Sequence, residues 1–283
     1  MKVEPFFDPR TGTVSYLVWD EATRDALIID PVLDYDPLRV RVFEESVDRY
    51  AARIRELGLQ LLWSLETHAH ADHISAGATL RRRYGTRLAI GRAITTVQSF
   101  FAGLFGRSDL AADGSQFDRL LGDGEVLAAG SITVTAIATP GHTPACVSYR
   151  IGDAVFTGDA LFVPDSGTGR CDFPRGSADL LYDSVQKLYA LPESTRVFVG
   201  HDYQPGGRAP QWESTIAEEK VRNTQLRADT SREAFVAFRK ARDAQLAPPT
   251  LIFQSLQCNI DAGQLPPARH GQRYLLLPMG IFK

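Results

Sequence analysis

Thr67-His68-Ala69-His70-Ala71-Asp72-His73 places three histidines and an aspartate within six consecutive positions, and the apolar run Leu61-Leu62-Trp63-Ser64-Leu65 leads straight into it. An apolar run of that length reads as a buried strand, and the polar stretch after it as a ligand-bearing loop at the strand's end. His68 and His70 alternate, so in an extended loop both face one centre. Asp72 and His73 are expected to continue into a helix and to face a second centre. Imidazole with carboxylate suits Zn, Fe or Mn, and the lack of cysteine in the cluster argues against a soft thiolate site.

Two further histidines sit in Gly/Pro punctuation: His142 in Thr139-Pro140-Gly141-His142-Thr143, and His201 in Gly200-His201-Asp202-Tyr203. Of the chain's 6 histidines only His270 stands apart. Outward from the cluster the pattern alternates between strand and helix. Thr13–Trp19 and Ala26–Asp30 flank a polar turn and read as a hairpin or meander. Phe43, Val47, Tyr50, Ile54 and Leu57 share one helical face, and Gly58 ends that helix. Leu59–Leu65 is a strand, and His73–Leu80 opens a helix closed by Arg81-Arg82-Arg83 before Gly85. Three cations in a last helical turn complement the helix dipole and need no nucleic acid to explain them.

Downstream, Arg87–Gly91 reads as a strand and the Phe100–Phe105 region as a helix contributing core or subunit contacts. Strands are expected near 125–127, 132–138, 145–151 and 154–157. Leu181, Val185 and Leu188 mark a helix, and Arg196–Val199 a final strand. From about Trp212 the chain reads as mainly helical. His68, His142, Asp159 and His201 each follow a predicted strand in a loop marked by Gly or Pro. A sheet that aligns those strand ends brings all four to one place.

At 283 residues, with 44% hydrophobic and 23% charged residues, the composition is that of an ordinary globular protein with a sizeable core. A net charge of -3 gives no reason to expect nucleic acid or an anionic membrane as partner. The first residues, Met1-Lys2-Val3-Glu4-Pro5-Phe6-Phe7-Asp8, lack the basic and apolar regions of a signal peptide, so a cytoplasmic protein is expected. Cys146, Cys171 and Cys258 are too widely spaced for a disulfide framework or a zinc knuckle.

Together, His68-x-His70-x-Asp72-His73, His142 in Thr-Pro-Gly-His, Asp159 in Gly-Asp-Ala-Leu-Phe and His201 in Gly-His-Asp-Tyr resemble the seven metal-binding positions of the metallo-β-lactamase superfamily, in order and type. The resemblance implies an α/β fold, a four-layer αβ/βα sandwich. Residues 1–205 would form the core and 206–283 a mainly helical C-terminal extension packed on it. The stretch Gly167-Thr168-Gly169-Arg170-Cys171-Asp172-Phe173 resembles a segment of the persulfide dioxygenases, one branch of that superfamily. The C-terminal tail resembles that of the bacterial β-lactamase-like hydrolases.

The persulfide dioxygenase resemblance implies one Fe(II) per chain on His68, His142 and Asp159, oxidising glutathione persulfide with O2 to sulfite and glutathione. His70, Asp72, His73 and His201 would then orient those ligands. The glyoxalase II-like alternative implies two Zn2+ per chain, with those four residues as ligands of the second ion and thioester hydrolysis as the reaction. A third reading is a non-catalytic persulfide sensor. Arg170 is expected to grip substrate, and Tyr203 and Arg208 to contact it. Cys171, beside Arg170, is expected either to react with persulfide or to serve as a wall. A small-molecule substrate, O2 and a homodimer are the expected partners.

Overall fold

The structure is a computed structural model that describes residues 1–281. The first sheet has the order β1 (Lys2–Phe7), β2 (Val14–Trp19), β3 (Asp25–Ile29), β6 (Gln60–Leu65), β8 (Arg87–Gly91) and β9 (Arg119–Leu121). Its first three strands are an antiparallel meander, and the rest add in parallel. A small sheet, β5 (Arg41–Phe43), β4 (Val32–Asp36) and β7 (Ile74–Ser75), lies on the chain path between them. The second large sheet runs β10 (Val126–Ala129), β11 (Ile132–Ala138), β12 (Val147–Ile151), β13 (Ala154–Phe156), β14 (Arg196–Phe198) and β15 (Glu213–Thr215).

One face of each large sheet is apolar because alternate residues point the same way. Val14, Tyr16, Val18, Leu27 and Trp63 of the first pack against Val134, Ala136, Tyr149, Phe156 and Phe198 of the second. Helices cover the outer faces. Helix α1 (Glu45–Leu57) turns Val47, Tyr50 and Ile54 toward Leu17 and Ile28, alongside Leu80 of α2 (Gly77–Tyr84). Helix α3 (Ile94–Leu104) packs over Leu88 and Ile90. On the second sheet, α4 (Ala178–Tyr189), α5 (Ile216–Arg222) and α6 (Arg232–Asp243) enclose Val155, Val197 and Val199. Helix α7 (Ile252–Asn259) returns to the first half of the molecule, with Ile252 and Leu256 beside α3. This is the αβ/βα arrangement expected from the sequence. No helix among the described residues is long and apolar enough to cross a membrane.

Three local expectations are corrected. Phe43 ends β5 instead of opening α1, because Asp34 accepts from the backbone N–H of Ser46 at 2.7 Å and from its hydroxyl at 2.9 Å, holding that helix start against β4. Asp72 and His73 do not continue into a helix: Ile74–Ser75 pair with Leu33 and Val32 first, and the helix begins at Gly77. The segment from Trp212 is mainly helical as expected, but its first residues, Glu213–Thr215, are a strand that pairs with β14 and completes the second sheet. A three-residue polar strand held by its neighbour carries too little periodicity to be read from sequence.

Candidate metal centre

The loops that leave β6, β11, β13 and β14 meet at one edge of the sandwich, and they bring His68, His142, Asp159 and His201 together as the strand ends suggested. Donor atoms of His68, His142 and Asp159 all lie within 4.8 Å of one another. All three residues are buried.

In each of the three, one end of the side chain is pinned and the other is left for the centre. The Thr67 hydroxyl donates to Asp30 Oδ2 at 2.7 Å, so its lone pair accepts from His68 Nδ1 at 3.0 Å and leaves Nε2 bare. Burial, reinforced by the neighbouring His70, holds His68 well below the ordinary histidine range, which keeps it neutral and able to coordinate. His142 Nδ1 donates to the backbone oxygen of Arg170 at 2.6 Å, which turns Nε2 toward Asp159 Oδ2, 3.6 Å away. Asp159 Oδ1 accepts from His201 Nδ1 at 2.7 Å and leaves Oδ2. Burial would raise the Asp159 carboxyl, but His201 outweighs it and holds it well below the usual range. Two bare imidazole nitrogens and one carboxylate oxygen form a donor set that fits Fe(II), Zn2+ or Mn2+.

The second group, His70, Asp72 and His73, also has donor atoms within 4.8 Å of one another, but most of them face each other. Asp72 Oδ2 accepts from Thr13 Oγ1 at 2.9 Å, His73 Nδ1 at 2.8 Å and His201 Nε2 at 2.9 Å. Both nitrogens of His201 thus donate to carboxylates. Burial opposes its charge, but its neighbours, Asp159 foremost, together outweigh burial, so its pKa is raised well above the ordinary value. His70 Nε2 faces Asp30 Oδ1 at 3.0 Å. His70 Nδ1 and His73 Nε2 are buried with no hydrogen-bond partner among the described residues. These two nitrogens are where a second ion would bind. His70 therefore belongs with Asp72 and His73 in this group, beyond the shared centre with His68 that alternation suggested, although its ring lies 4.1 Å from that of His68 between centroids.

Residues 8–201 match the metallo-beta-lactamase superfamily. The chain belongs to that superfamily. It is 48% identical to a probable metallo-hydrolase of Burkholderia pseudomallei, over 99% of both chains. It is 47% identical, over its whole length, to a beta-lactamase hydrolase-like protein of Xylella fastidiosa, and spans 65% of that longer protein. With the mitochondrial persulfide dioxygenase ETHE1 of Bos taurus it shares 35% identity, over 93% of this chain and 89% of that one. The crystal structure of ETHE1 from Myxococcus xanthus superposes with a TM-score of 0.76 at 36% identity, covering 93% of this chain and all of that one.

In this superfamily member the segment between Asp159 and α4 wraps the His68–His142–Asp159 group. A Cβ at Gly169 would stand 2.1 Å from the backbone oxygen of Asp159, so only glycine fits there. The next residue, Arg170, contributes its carbonyl to His142. The Arg170 guanidinium forks onto both oxygens of Asp172, at 2.6 Å each, and donates to the Ala247 carbonyl at 2.7 Å. Cys171 is buried, and burial pushes its thiol well above the ordinary value. The reactive-thiolate expectation is therefore corrected: an apolar surround with Asp243 nearby disfavours the thiolate. Tyr203 lies exposed at the rim, with its ring stacked on His201 at 5.6 Å between centroids. Arg208 spans Asp202 and Asp165, at 2.7 and 2.6 Å, and so ties two site loops together.

A cavity of about 260 Å³ opens beside His142. Its walls come from Phe173 and Pro174 on one side and from Leu246, Pro248, Pro249 and Ile252 of the C-terminal segment on the other. That the C-terminal extension closes over the pocket was one of two expectations, the other being a dimer interface, and these walls match the first; sequence reading missed three groups that hold the site. Asp30 anchors the backbone N–H of Thr67 at 2.7 Å. The buried Arg239–Asp243 pair of α6 grips the Gly-rich segment: Asp243 accepts from the Cys171 N–H at 2.8 Å, and Arg239 donates to the Thr168 carbonyl at 3.1 Å. Asn259 of α7 sits on the first ligand loop. Only Asp30 carried a signal, an acid at a strand end facing the cluster's own strand. The other contacts join residues far apart in sequence with no motif between them.

Proposed function

We propose that this chain is an iron-dependent persulfide dioxygenase that uses one Fe(II) held by His68, His142 and Asp159. The observation that carries this reading is the asymmetry of the two donor groups. The first group offers Nε2, Nε2 and Oδ2 with their partners already set. In the second, both nitrogens of His201 are already donated to Asp159 and Asp72, so His201 could join a second ion only by parting the His201–Asp72 contact. The similarity to persulfide dioxygenase ETHE1 over nearly the whole chain supports the same reaction.

The overall change is R-S-SH + O2 + H2O to R-SH + H2SO3, in which the outer sulfur is oxidised, the S–S bond breaks and O2 is reduced. Fe(II) bound at the triad supplies the O2 chemistry. The chain's own residues do the rest. The Arg170 carbonyl keeps the proton on His142 Nδ1, and His201 holds Asp159 ionised. Phe173, Pro248, Pro249 and Ile252 give the cavity an apolar wall beside His142, where a small thiol such as glutathione persulfide would sit. Arg170 stands at the cavity wall as the one guanidinium able to steer an anionic substrate, with Asp172 fixing its plane.

A second reading, a dinuclear zinc thioesterase, is favoured by the two unpartnered nitrogens, His70 Nδ1 and His73 Nε2, and by the hydrolase names of the most identical relatives quoted above. Anaerobic purification decides between the two. The dioxygenase is expected to carry about one iron per chain and to consume O2 with glutathione persulfide. Two zinc ions per chain, hydrolysis of S-lactoylglutathione and no O2 uptake would overturn it.

A further inference from the structure

The ligand loop from His70 to His73, just ahead of β7, has an irregular path, so its carbonyls cannot rely on a regular ladder for partners. One side chain from the far end of the sequence takes up that role. Asn259, the last residue of α7, donates Nδ2 to the His70 carbonyl and to the His73 carbonyl, at 2.8 Å each. Its Oδ1 accepts from the backbone N–H of Ser75, also at 2.8 Å. Both amide N–H groups and the amide oxygen are therefore spent on this one loop. The flipped amide would set oxygen against two carbonyl oxygens, so the partners fix its orientation.

The support behind Asn259 is stiff. The turn that follows α7 presses on the same loop: a Cβ at Gly263, where φ is +79°, would stand 2.5 Å from the Ser75 carbonyl. Gln98 of α3 donates to the Ile260 carbonyl at 2.8 Å, and Arg107 pairs with Asp261 at 3.0 Å. Asn259 is itself buried. All three of its hydrogen bonds go to backbone atoms of the loop and none to a ligand side chain.

We propose that Asn259 is a positioning residue of the metal centre, clamping the backbone of His70 and His73 so that the loop carrying His68, His70 and His73 is set before metal binds. The C-terminal helices are then part of the centre's construction. This inference rests on the reading of that loop as metal-binding and is independent of which reaction the metal serves.

The test compares two substitutions on the same helix in the full-length protein. Asn259→Leu removes the three hydrogen bonds while keeping the branched shape and the number of side-chain heavy atoms. Gln257→Leu is the control: Gln257 is equally buried and bonds the carbonyls of Phe253 and Leu276 and the Leu276 N–H, none of them in the ligand loop. Both variants are expected to melt at lower temperature than the wild type. Co(II) titration of the metal-free proteins, read by ligand-field absorption, should show affinity about tenfold or more weaker for Asn259→Leu, with an altered band. Gln257→Leu should stay within about twofold of wild type. Asn259→Asp keeps the acceptor for Ser75 and loses the two donors; it serves if the leucine variant does not fold, with a loss of about threefold or more expected. Wild-type Co(II) affinity in a folded Asn259 variant, or an equal loss in Gln257→Leu, would overturn the proposal. A failure of the dioxygenase reading would appear separately, as absent O2 uptake with this ranking of affinities intact.

Discussion

The two halves of the centre use the same residue types and differ in what those side chains face. His68, His142 and Asp159 are each held by a backbone or hydroxyl or imidazole partner on one side and are bare on the other. Asp72 instead takes three donors on a single oxygen, and His201 is stretched between two carboxylates. A ligand set is defined by which atom of each side chain is left without a partner, and residue identity alone does not say that. By that measure the first half leaves two imidazole nitrogens and one carboxylate oxygen free, while the second leaves His70 Nδ1, His73 Nε2 and Asp72 Oδ1 free but has both nitrogens of His201 taken.

The largest effect should come from the first half. Asp159→Ala or His142→Ala removes a donor and leaves its partner buried, so iron content is expected to fall below about a tenth of wild type, with O2 uptake at background. Metal analysis alongside an oxygen electrode checks this. Retention of a full iron complement in either variant would break the distinction between the halves.

A smaller effect is expected in the second half. His73→Ala should keep one iron per chain while lowering turnover about 10–100-fold, the usual cost of losing a group that orients a ligand. If that variant instead releases half of the bound metal from a protein carrying two ions, the halves are equivalent and the hydrolase reading gains. The smallest effect is expected from Arg170→Lys, which keeps the charge but cannot fork onto Asp172. Since the Arg170 carbonyl still accepts from His142, iron content should be unchanged and KM should rise by about tenfold, roughly 1.4 kcal/mol, with kcat nearly constant. A drop in iron content would show that the guanidinium clasp, and not the backbone alone, sets the His142 loop.

Much of this architecture was legible because it is periodic. The face shared by Val47, Tyr50 and Ile54 announced α1, and the apolar runs ending at His68 and Asp159 announced strands with polar exits. The Gly-rich segment could be marked as important from its composition, though its reason is steric and appears only when Gly169 is seen against the Asp159 carbonyl. The short strands β7, β9 and β15 were not legible, because each holds at most two consecutive apolar residues, whereas the equally short β13 and β14 lie in the apolar runs Ala154-Val155-Phe156 and Val197-Phe198-Val199. The C-terminal segment was legible only as an extension that closes over the pocket or makes a dimer interface; that it supplies the Arg239–Asp243 grip and the Asn259 contacts appears only in the fold.

By itself, the sequence determined the superfamily, the sandwich and which seven side chains crowd one edge, because strand ends and Gly/Pro loops are local properties of the chain. The tertiary structure alone decided how those seven divide: whether an imidazole presents a bare nitrogen depends on what its other nitrogen touches. Those partners, Thr67 and Asp30 behind His68, the Arg170 carbonyl behind His142 and Asn259 beneath His70 and His73, are mostly distant along the chain and become neighbours only through folding.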